Sequence, residues 1–298
     1  MRTGTLLEGS YRITGHLSRG GMGEIYRAVD ESSGNAVAVK VVHDPWLEST
    51  TWYMEKQERL ISEGRLGQYL RGIRGIPTVH AVGRIDKSWF VVMELVEGRN
   101  LTEVLQNFSP LKRRTATAIA IQLGMILEAA HRKEVVHRDV KPDNVLLDDE
   151  GMVHLLDLGI ALRWWDKPRP AGSRGYAPVE QVKGTAVDQR SDIYALGCLI
   201  CKMVTNSVPY GKKVNWNVGD EVAEFSEKTT RRLGPGLADL VREMVERDLD
   251  RRPGTMGEVL KRLRSSLPEP DSRLDPQAPE YDPERWLRKH LPQRFAAE

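Results

Sequence analysis

Residues 135–147 read VVHRDVKPDNVLL and set a histidine, an arginine, two aspartates, a lysine and an asparagine between short β-branched and leucine runs. Asp139 can orient a hydroxyl and take its proton. Lys141 can neutralise developing negative charge, and Asn144 offers a carbonyl oxygen to a hard cation. The apolar flanks predict a buried segment ending at Val135 and Val136 and a strand beginning at Val145, so the charged residues occupy a loop held between fixed elements, where a site can be precise.

Three other stretches could carry chemistry. LSRGGMGEIY, at 17–26, has glycines through which backbone N–H groups can approach phosphate oxygens, although a plain glycine hairpin reads the same way. In VAVKVV, Lys40 is the one charge in an apolar run and is costly to bury unless paired; a strand lysine reaching out to solvent is the alternative. Asp157 closes MVHLLDLG, and by itself Asp-x-Gly reads as a turn.

The elements that must position these residues differ along the chain. Residues 11–97 read as short strands (YRITGHL, GEIYRAV, NAVAVKVV, TVHAVGRI, WFVVMEL) with one helical stretch near 52–69. From Asn100 onward helices dominate. Asn100 with Glu103 predicts one capped helix start, and Ser109 before Pro110 predicts another, leading into RRTATAIAIQLGMILEAAH. The class is α+β, with a β-rich lobe at 11–97 and a mainly helical lobe at 98–267. Residues 268–298 begin as a proline-rich tail. Within it PERWLRKHL predicts a short helix, with Asp282 as cap and Trp286 as apolar anchor.

Composition removes several classes of function. The chain has 298 residues, 40% hydrophobic and 29% charged, with net charge +2, so it has no strong pull toward nucleic acid or membrane. Its two cysteines, Cys198 and Cys201, cannot form a disulfide framework. Their C-x-x-C spacing falls in DIYALGCLICKMV, apolar nearly all round, and reads as buried helix. No run reaches the length of a membrane span, and residues 1–10 lack an apolar signal core. A cytoplasmic protein is the expectation.

The pattern H-R-D-x-K-P-x-N at 137–144 resembles the catalytic loop of the protein kinases, with Lys141 in the serine/threonine form. Further matches follow in order from Leu17 to Arg252. The glycine-rich stretch is similar to G-x-G-x-x-G, with Ser18 in the first position and Gly20 and Gly23 in the second and third. Lys40 corresponds to the lysine that holds nucleotide phosphates and pairs with a helix glutamate; the spacing to IPTVHAVG selects Glu63 for that partner and leaves Glu58 as a surface charge. Asp157-Leu158-Gly159 resembles D-F-G. Glu180 corresponds to the glutamate of A-P-E although Ala-Pro-Val precedes it, Arg252 to its ion-pair partner, Asp192 to the aspartate that braces the catalytic loop, and Ser173 to a threonine touching the catalytic Asp and Lys.

The resemblance is to the bacterial, eukaryotic-like serine/threonine protein kinases and implies a bilobal fold that binds ATP between its lobes. It implies nucleotide contacts from Leu17, Gly20, Gly23, Ile25, Ala38, Lys40, Met93 and the hinge residues Glu94 and Val96. It assigns Mg²⁺, with Mn²⁺ as the alternative ion, to Asn144 and Asp157. Asp139 would act as base, Lys141 would steady the transferred group, and the partner would be a protein bearing a Ser or Thr hydroxyl. Residues 158–172 contain no Ser, Thr or Tyr. Arg138, the usual receiver of a phosphate there, therefore has none to receive, and the segment is expected to hold its shape without phosphorylation, braced by Trp164, Trp165 and the prolines. A pseudokinase scaffold and a small-molecule kinase are the alternative classes. Intact Lys40, Asp139, Asn144 and Asp157 weigh against the first, and Ser173, Glu180, Asp192 and Arg252 against the second.

Overall fold

The computed structural model describes residues 1–20, 23–42, 50–185, 187–210, 225–267 and 282–290. The chain divides into two compact units, one formed by 1–96 with 157–160 and the other by 97–156 with 161–298.

The first unit is built on an antiparallel sheet: β1 (Leu6–Leu7), β2 (Tyr11–Gly20), β3 (Gly23–Asp30), β4 (Ala36–Val41), β5 (Val79–Ile85) and β6 (Ser88–Glu94), in the order β1-β2-β3-β4-β6-β5. β4 and β6 are adjacent interior strands, and their Val39, Val41, Phe90, Val91 and Val92 are fully buried. The glycine-rich stretch is the β2–β3 hairpin, with Gly20 opposite Gly23. Gly23 has φ +141°, and a Cβ there would meet the Val41 carbonyl oxygen, so β3 passes β4 at a distance only glycine permits.

Helix α1 (Thr51–Tyr69) is capped by the Thr50 side chain, which accepts from the Tyr53 N–H. Six of its seven buried residues, Tyr53, Gln57, Leu60, Glu63, Gly64 and Gly67, fall at helical spacing on one face, and Leu66 lies off it. Gly64 lets that face settle onto the sheet, since a Cβ there would overlap Val82 and Val91. The polar Gln57 is satisfied on this face by donating to the Val42 carbonyl and accepting from the Trp89 N–H.

The second unit begins with β7 (Arg99–Asn100) and α2 (Leu101–Phe108), where the Asn100 side chain accepts from the Thr102 N–H. Ser109 and Pro110 do not start the next helix, contrary to the expectation from their types. Ser109 is the C-cap of α2, and the Leu111 N–H donates to the Met203 carbonyl, so residues 109–112 are fixed as a connection. α3 (Arg113–His131) starts after it and has no side-chain cap. β8 (Val135–Val136), a 3-10 turn at Pro142–Asn144, β9 (Val145–Leu147), β10 (Val153–Leu155) and β11 (Leu162–Arg163) follow. β9 lies between β10 and β7, while β11 pairs with β8.

The remaining helices are α4 (Val179–Lys183), α5 (Gln189–Thr205), α6 (Glu227–Leu233), α7 (Pro235–Met244), α8 (Met256–Ser266) and α9 (Pro283–His290). α5 is buried along almost its whole length, with Cys198 and Cys201 inside it as unpaired thiols; burial raises the pKa of both. α9 packs on α3. Asp282 Oδ1 accepts from the Glu284 N–H, and Trp286 and Leu287 are buried. Gln122 of α3 donates to the carbonyls of both Gly151 and Pro283 and accepts from the Val153 N–H, which ties α9 to the β9–β10 turn. Of the expected tail, 268–281 and 291–298 lie outside the described residues. Among the described residues no helix is long and apolar enough to cross a membrane.

Candidate active site

In the first unit, Lys40 extends from β4 and is 6% exposed. Its Nζ donates to Glu63 Oε1 and Oε2 at 2.8 and 2.7 Å and to Asp157 Oδ1 at 3.0 Å. Glu63 reaches it from the buried face of α1, whereas Glu58 is exposed. One cation thus serves two carboxylates. Burial acts first on both partners and disfavours their charged forms. For Lys40 the two carboxylates outweigh burial and raise the pKa. For Glu63 burial outweighs the attraction of Lys40, with Asp157 adding repulsion, and the pKa is pushed up to about 6.

Asp157 has φ +64°. Its Oδ1 also accepts from the Gly159 N–H at 3.0 Å, a local bond that compensates the left-handed backbone. Ala38 and Met93 face one another across β4 and β6, and Ile25 is paired with Lys40. Glu94 ends β6 with its N–H on the Thr78 carbonyl, and Val96 follows in irregular backbone. Leu17 and Gly20 lie on the exposed stretch of β2.

In the second unit, the loop between β8 and β9 brings its charged residues onto one carboxylate. Asp139 Oδ2 accepts from Lys141 Nζ at 2.8 Å and Asn144 Nδ2 at 2.9 Å, and Oδ1 accepts from Ser173 Oγ at 2.7 Å. Lys141 also donates to Ser173 Oγ at 2.7 Å, so the serine hydroxyl is held by the aspartate and the ammonium together. Asn144 spends its second amide hydrogen on the Asp139 carbonyl at 2.9 Å. Its carbonyl oxygen has no donor among the described residues, and the amide is oriented with that oxygen as the end left for a ligand.

The loop backbone is fixed from beneath by Asp192, which is fully buried at the start of α5. Oδ2 accepts from the His137 N–H at 2.9 Å and from His131 Nε2 at 2.8 Å, and Oδ1 accepts from the Arg138 N–H at 2.8 Å. Burial works to raise the pKa of Asp192, but the hydrogen bond and attraction of His131, with those of His137, bring it below the ordinary aspartate value. Arg138 has φ +69°, a strained setting sustained by those bonds. His137 Nδ1 accepts from the Asp139 N–H at 3.3 Å, so its Nε2 carries the proton and donates to the Leu156 carbonyl at 3.1 Å.

The segment carrying Ser173 is tied to the same loop. The Arg138 guanidinium donates to the Arg169 carbonyl at 2.7 Å. Gln181 Nε2 donates to the carbonyls of Arg138 at 2.7 Å and Ala171 at 3.3 Å. Trp164 and Trp165 do not brace the segment as expected: they are 44% and 60% exposed, on a turn whose backbone is held instead by Trp164 N–H on the Glu134 carbonyl and by the β11–β8 pairing. Further along, Glu180 and Arg252 form a buried ion pair at 2.7 Å, to which Ser191 Oγ adds a hydrogen bond at 3.0 Å. Arg252 also donates to the carbonyls of Glu246, Arg247 and Arg190.

Gln181 and His131 escaped the sequence reading. Both are polar residues that the structure buries at 1% and 4% exposure against the loop. The only available signal was position, Gln181 directly after Glu180 and His131 shortly before the loop.

A lysine shared by two carboxylates in one unit, and an aspartate held with lysine, asparagine and serine in the other, are the parts of a phosphotransferase. Residues 11–263 match the family model of the protein kinase domain, and the chain belongs to that family. It is 31% identical over 284 residues to serine/threonine-protein kinase PknH of Mycobacterium bovis, covering 91% of this chain and 46% of that protein. To serine/threonine-protein kinase PknD of Mycobacterium tuberculosis it is 33% identical over 207 residues, covering 68% of this chain and 30% of that protein. A probable serine/threonine-protein kinase of Clostridium perfringens is 29% identical over 299 residues, covering 97% of this chain and 43% of that protein. The chain spans less than half the length of these relatives.

Proposed function

We propose that the chain is an ATP-dependent serine/threonine protein kinase that works in the cytoplasm and transfers the γ-phosphoryl group to Ser or Thr hydroxyls of proteins. The observation that carries this reading is the Asp139 carboxylate. One oxygen is occupied by a serine hydroxyl that Lys141 also holds, which is the arrangement an acceptor hydroxyl needs in order to be oriented and to lose its proton. In the reaction Asp139 orients the substrate hydroxyl and takes its proton, while Lys141 offsets the negative charge of the transferred group. Lys40, kept charged and directed by Glu63, fixes the nucleotide phosphates, and Gly20, Gly23, Leu17, Ile25, Ala38, Met93, Glu94 and Val96 hold the rest of ATP. Positioning and electrostatics are what this transfer demands.

The Asp157 carboxylate and the Asn144 carbonyl oxygen fit a hard divalent cation, Mg²⁺ or Mn²⁺, because both are oxygen donors and the Asn144 amide hydrogens are spent on Asp139, which leaves its oxygen as an acceptor. When bound, the cation neutralises phosphate charge. The Arg138 bond to the Arg169 carbonyl and the Gln181 bridge support a segment ordered without phosphorylation. The unpaired cysteine thiols suit a reducing compartment.

The test is transfer of labelled phosphate from ATP and Mg²⁺ to a generic basic protein, wild type beside Asp139→Asn and Lys40→Met. Asp139→Asn is expected to bind ATP but lose turnover about 100-fold or more, and Lys40→Met to weaken the ATP complex. Equal turnover in Asp139→Asn and wild type would refute the assignment, and phosphate mapped within 158–176 of active protein, where Ser173 and Tyr176 are the acceptors, would refute phosphorylation-independent ordering.

A further inference from the structure

The two indoles on the segment leading to Ser173 are exposed, and among the described residues neither is packed into a core. Trp164 and Trp165 sit on a turn fixed by the Trp164 N–H on the Glu134 carbonyl and the Arg163 N–H on Asp166 Oδ2, and Arg163 stacks its guanidinium 5.4 Å from the Trp165 ring. Large aromatic groups held rigidly in water are costly to display unless something covers them, and rigid exposed aromatics are the commonest anchors of protein recognition.

Charge says what covers them. Residues 158–178 contain four basic side chains, Arg163, Lys167, Arg169 and Arg174, against one acidic side chain, Asp166, in a chain whose total net charge is only +2. Lys167, Arg169 and Arg174 are all exposed. Neither Lys167 nor Arg169 has a carboxylate partner among the described residues. Pro168 and Pro170 limit the backbone freedom of the stretch that carries them. The backbone of Arg169 is itself bound to Arg138, the neighbour of Asp139, so this basic stretch is anchored to the loop that holds the proposed base.

We infer that residues 163–174 form a docking ridge for an acidic, aromatic- or aliphatic-containing stretch of the protein substrate, with the indoles taking its apolar side chains and Lys167, Arg169 and Arg174 its carboxylates. This selectivity rests on the phosphotransfer reading above. It makes the acceptor sequence a matter of charge complementarity set by this chain's own segment, and it predicts recognition that weakens with salt.

The experiment uses the whole chain and two peptides. One has a single threonine flanked by glutamate and phenylalanine; the other carries lysine in place of each glutamate. The wild type is expected to show a KM about tenfold or more lower for the acidic peptide, and Lys167→Glu/Arg169→Glu to abolish or invert that preference while turnover at saturating peptide and KM for ATP stay unchanged. Trp164→Ser/Trp165→Ser is expected to raise KM for the acidic peptide with the same turnover. Equal KM values in wild type, a preference for the basic peptide, or a preference that survives charge reversal would overturn the docking ridge and leave the kinase reading standing. Light scattering that shows the tryptophan variant falling from dimer to monomer would overturn it also, by making a second copy of the chain the occupant.

If neither peptide is labelled, the kinase reading is decided by transfer to the generic protein with Asp139→Asn as control, and the ridge is decided by binding alone. Tryptophan emission is titrated with the acidic peptide carrying alanine for threonine. A saturable change that Lys167→Glu/Arg169→Glu loses supports the ridge, and no change overturns it.

Discussion

Replacing Asp192 by asparagine changes one buried atom and separates bracing from chemistry. The carboxylate accepts three hydrogen bonds, one on Oδ1 from the Arg138 N–H and two on Oδ2 from His137 N–H and His131 Nε2. Asparagine is nearly isosteric but has one acceptor oxygen. Placed to keep the two donors at Oδ2, it turns an amide N–H₂ toward the Arg138 N–H and leaves that donor without a partner. Losing a bond to a charged acceptor and stranding a buried N–H costs about 3 kcal/mol in sum. For a folding unit of this size that lowers Tm by roughly 6–12 °C.

The N–H that is lost belongs to Arg138, whose φ of +69° relies on it, so the backbone just before Asp139 relaxes. Displacement of a catalytic group by about 1 Å costs about 100-fold in turnover. The assays are thermal unfolding and labelled-phosphate transfer with ATP titrated in each protein; KM for ATP should stay within about threefold. The sign with pH is also set. Because the folded pKa of Asp192 is depressed, its contribution is present above the ordinary aspartate value and is lost as the pH falls below it, so the gap between wild type and variant narrows in acid. A variant that melts within about 1 °C of wild type and turns over within about twofold would refute the bracing role.

Glu63, with its pKa pushed up to about 6, is ionised only above that pH, so kcat/KM for ATP should fall as pH drops through about 6, and Glu63→Gln should erase that limb; a limb centred on the ordinary glutamate value would count against the pairing. Stability from the same group runs in the opposite sense, full below the ordinary glutamate value and lost as pH rises through about 6. Arg252→Met leaves Glu180 buried with, among the described residues, only the Ser191 hydroxyl beside it and should cost about 3–5 kcal/mol in urea unfolding, while adding Glu180→Met should recover much of it; equal stability of the single and double variants would show that the charge is not stranded.

The strands of the first unit were legible because β4 and β6 are runs of Val, Ala and Phe with few polar interruptions, and Lys40 stood out against such a run. Glu63 was legible through its spacing to IPTVHAVG, and in the structure it falls on the helix face marked by buried Tyr53, Leu60, Gly64 and Gly67. Ser109–Pro110 misled because Ser and Pro suit a helix start in isolation, whereas the bond from Leu111 to Met203 that fixes the connection comes from nearly a hundred residues away. Gln181 and Gln122 were illegible for the same reason. A buried amide is accepted only where distant carbonyls satisfy it, and no local pattern announces them. The tryptophans gave no period by which to assign a face, being a pair on a turn after a two-residue strand.

The seat of α9 separates two notions of where this domain stops. The match to the family model ends at residue 263, but burial continues to the helix at Pro283–His290. Arg114 binds Glu284, Gln122 binds the Pro283 carbonyl, and Trp286 and Leu287 fill the face of α3. A chimera joined at the end of the family match would carry α3 with that face stripped: an apolar patch open to water, a guanidinium without its carboxylate, and a glutamine amide short of an acceptor. The exchangeable unit for grafting this catalytic domain is therefore longer than the stretch the family model matches, and its junction belongs beyond His290.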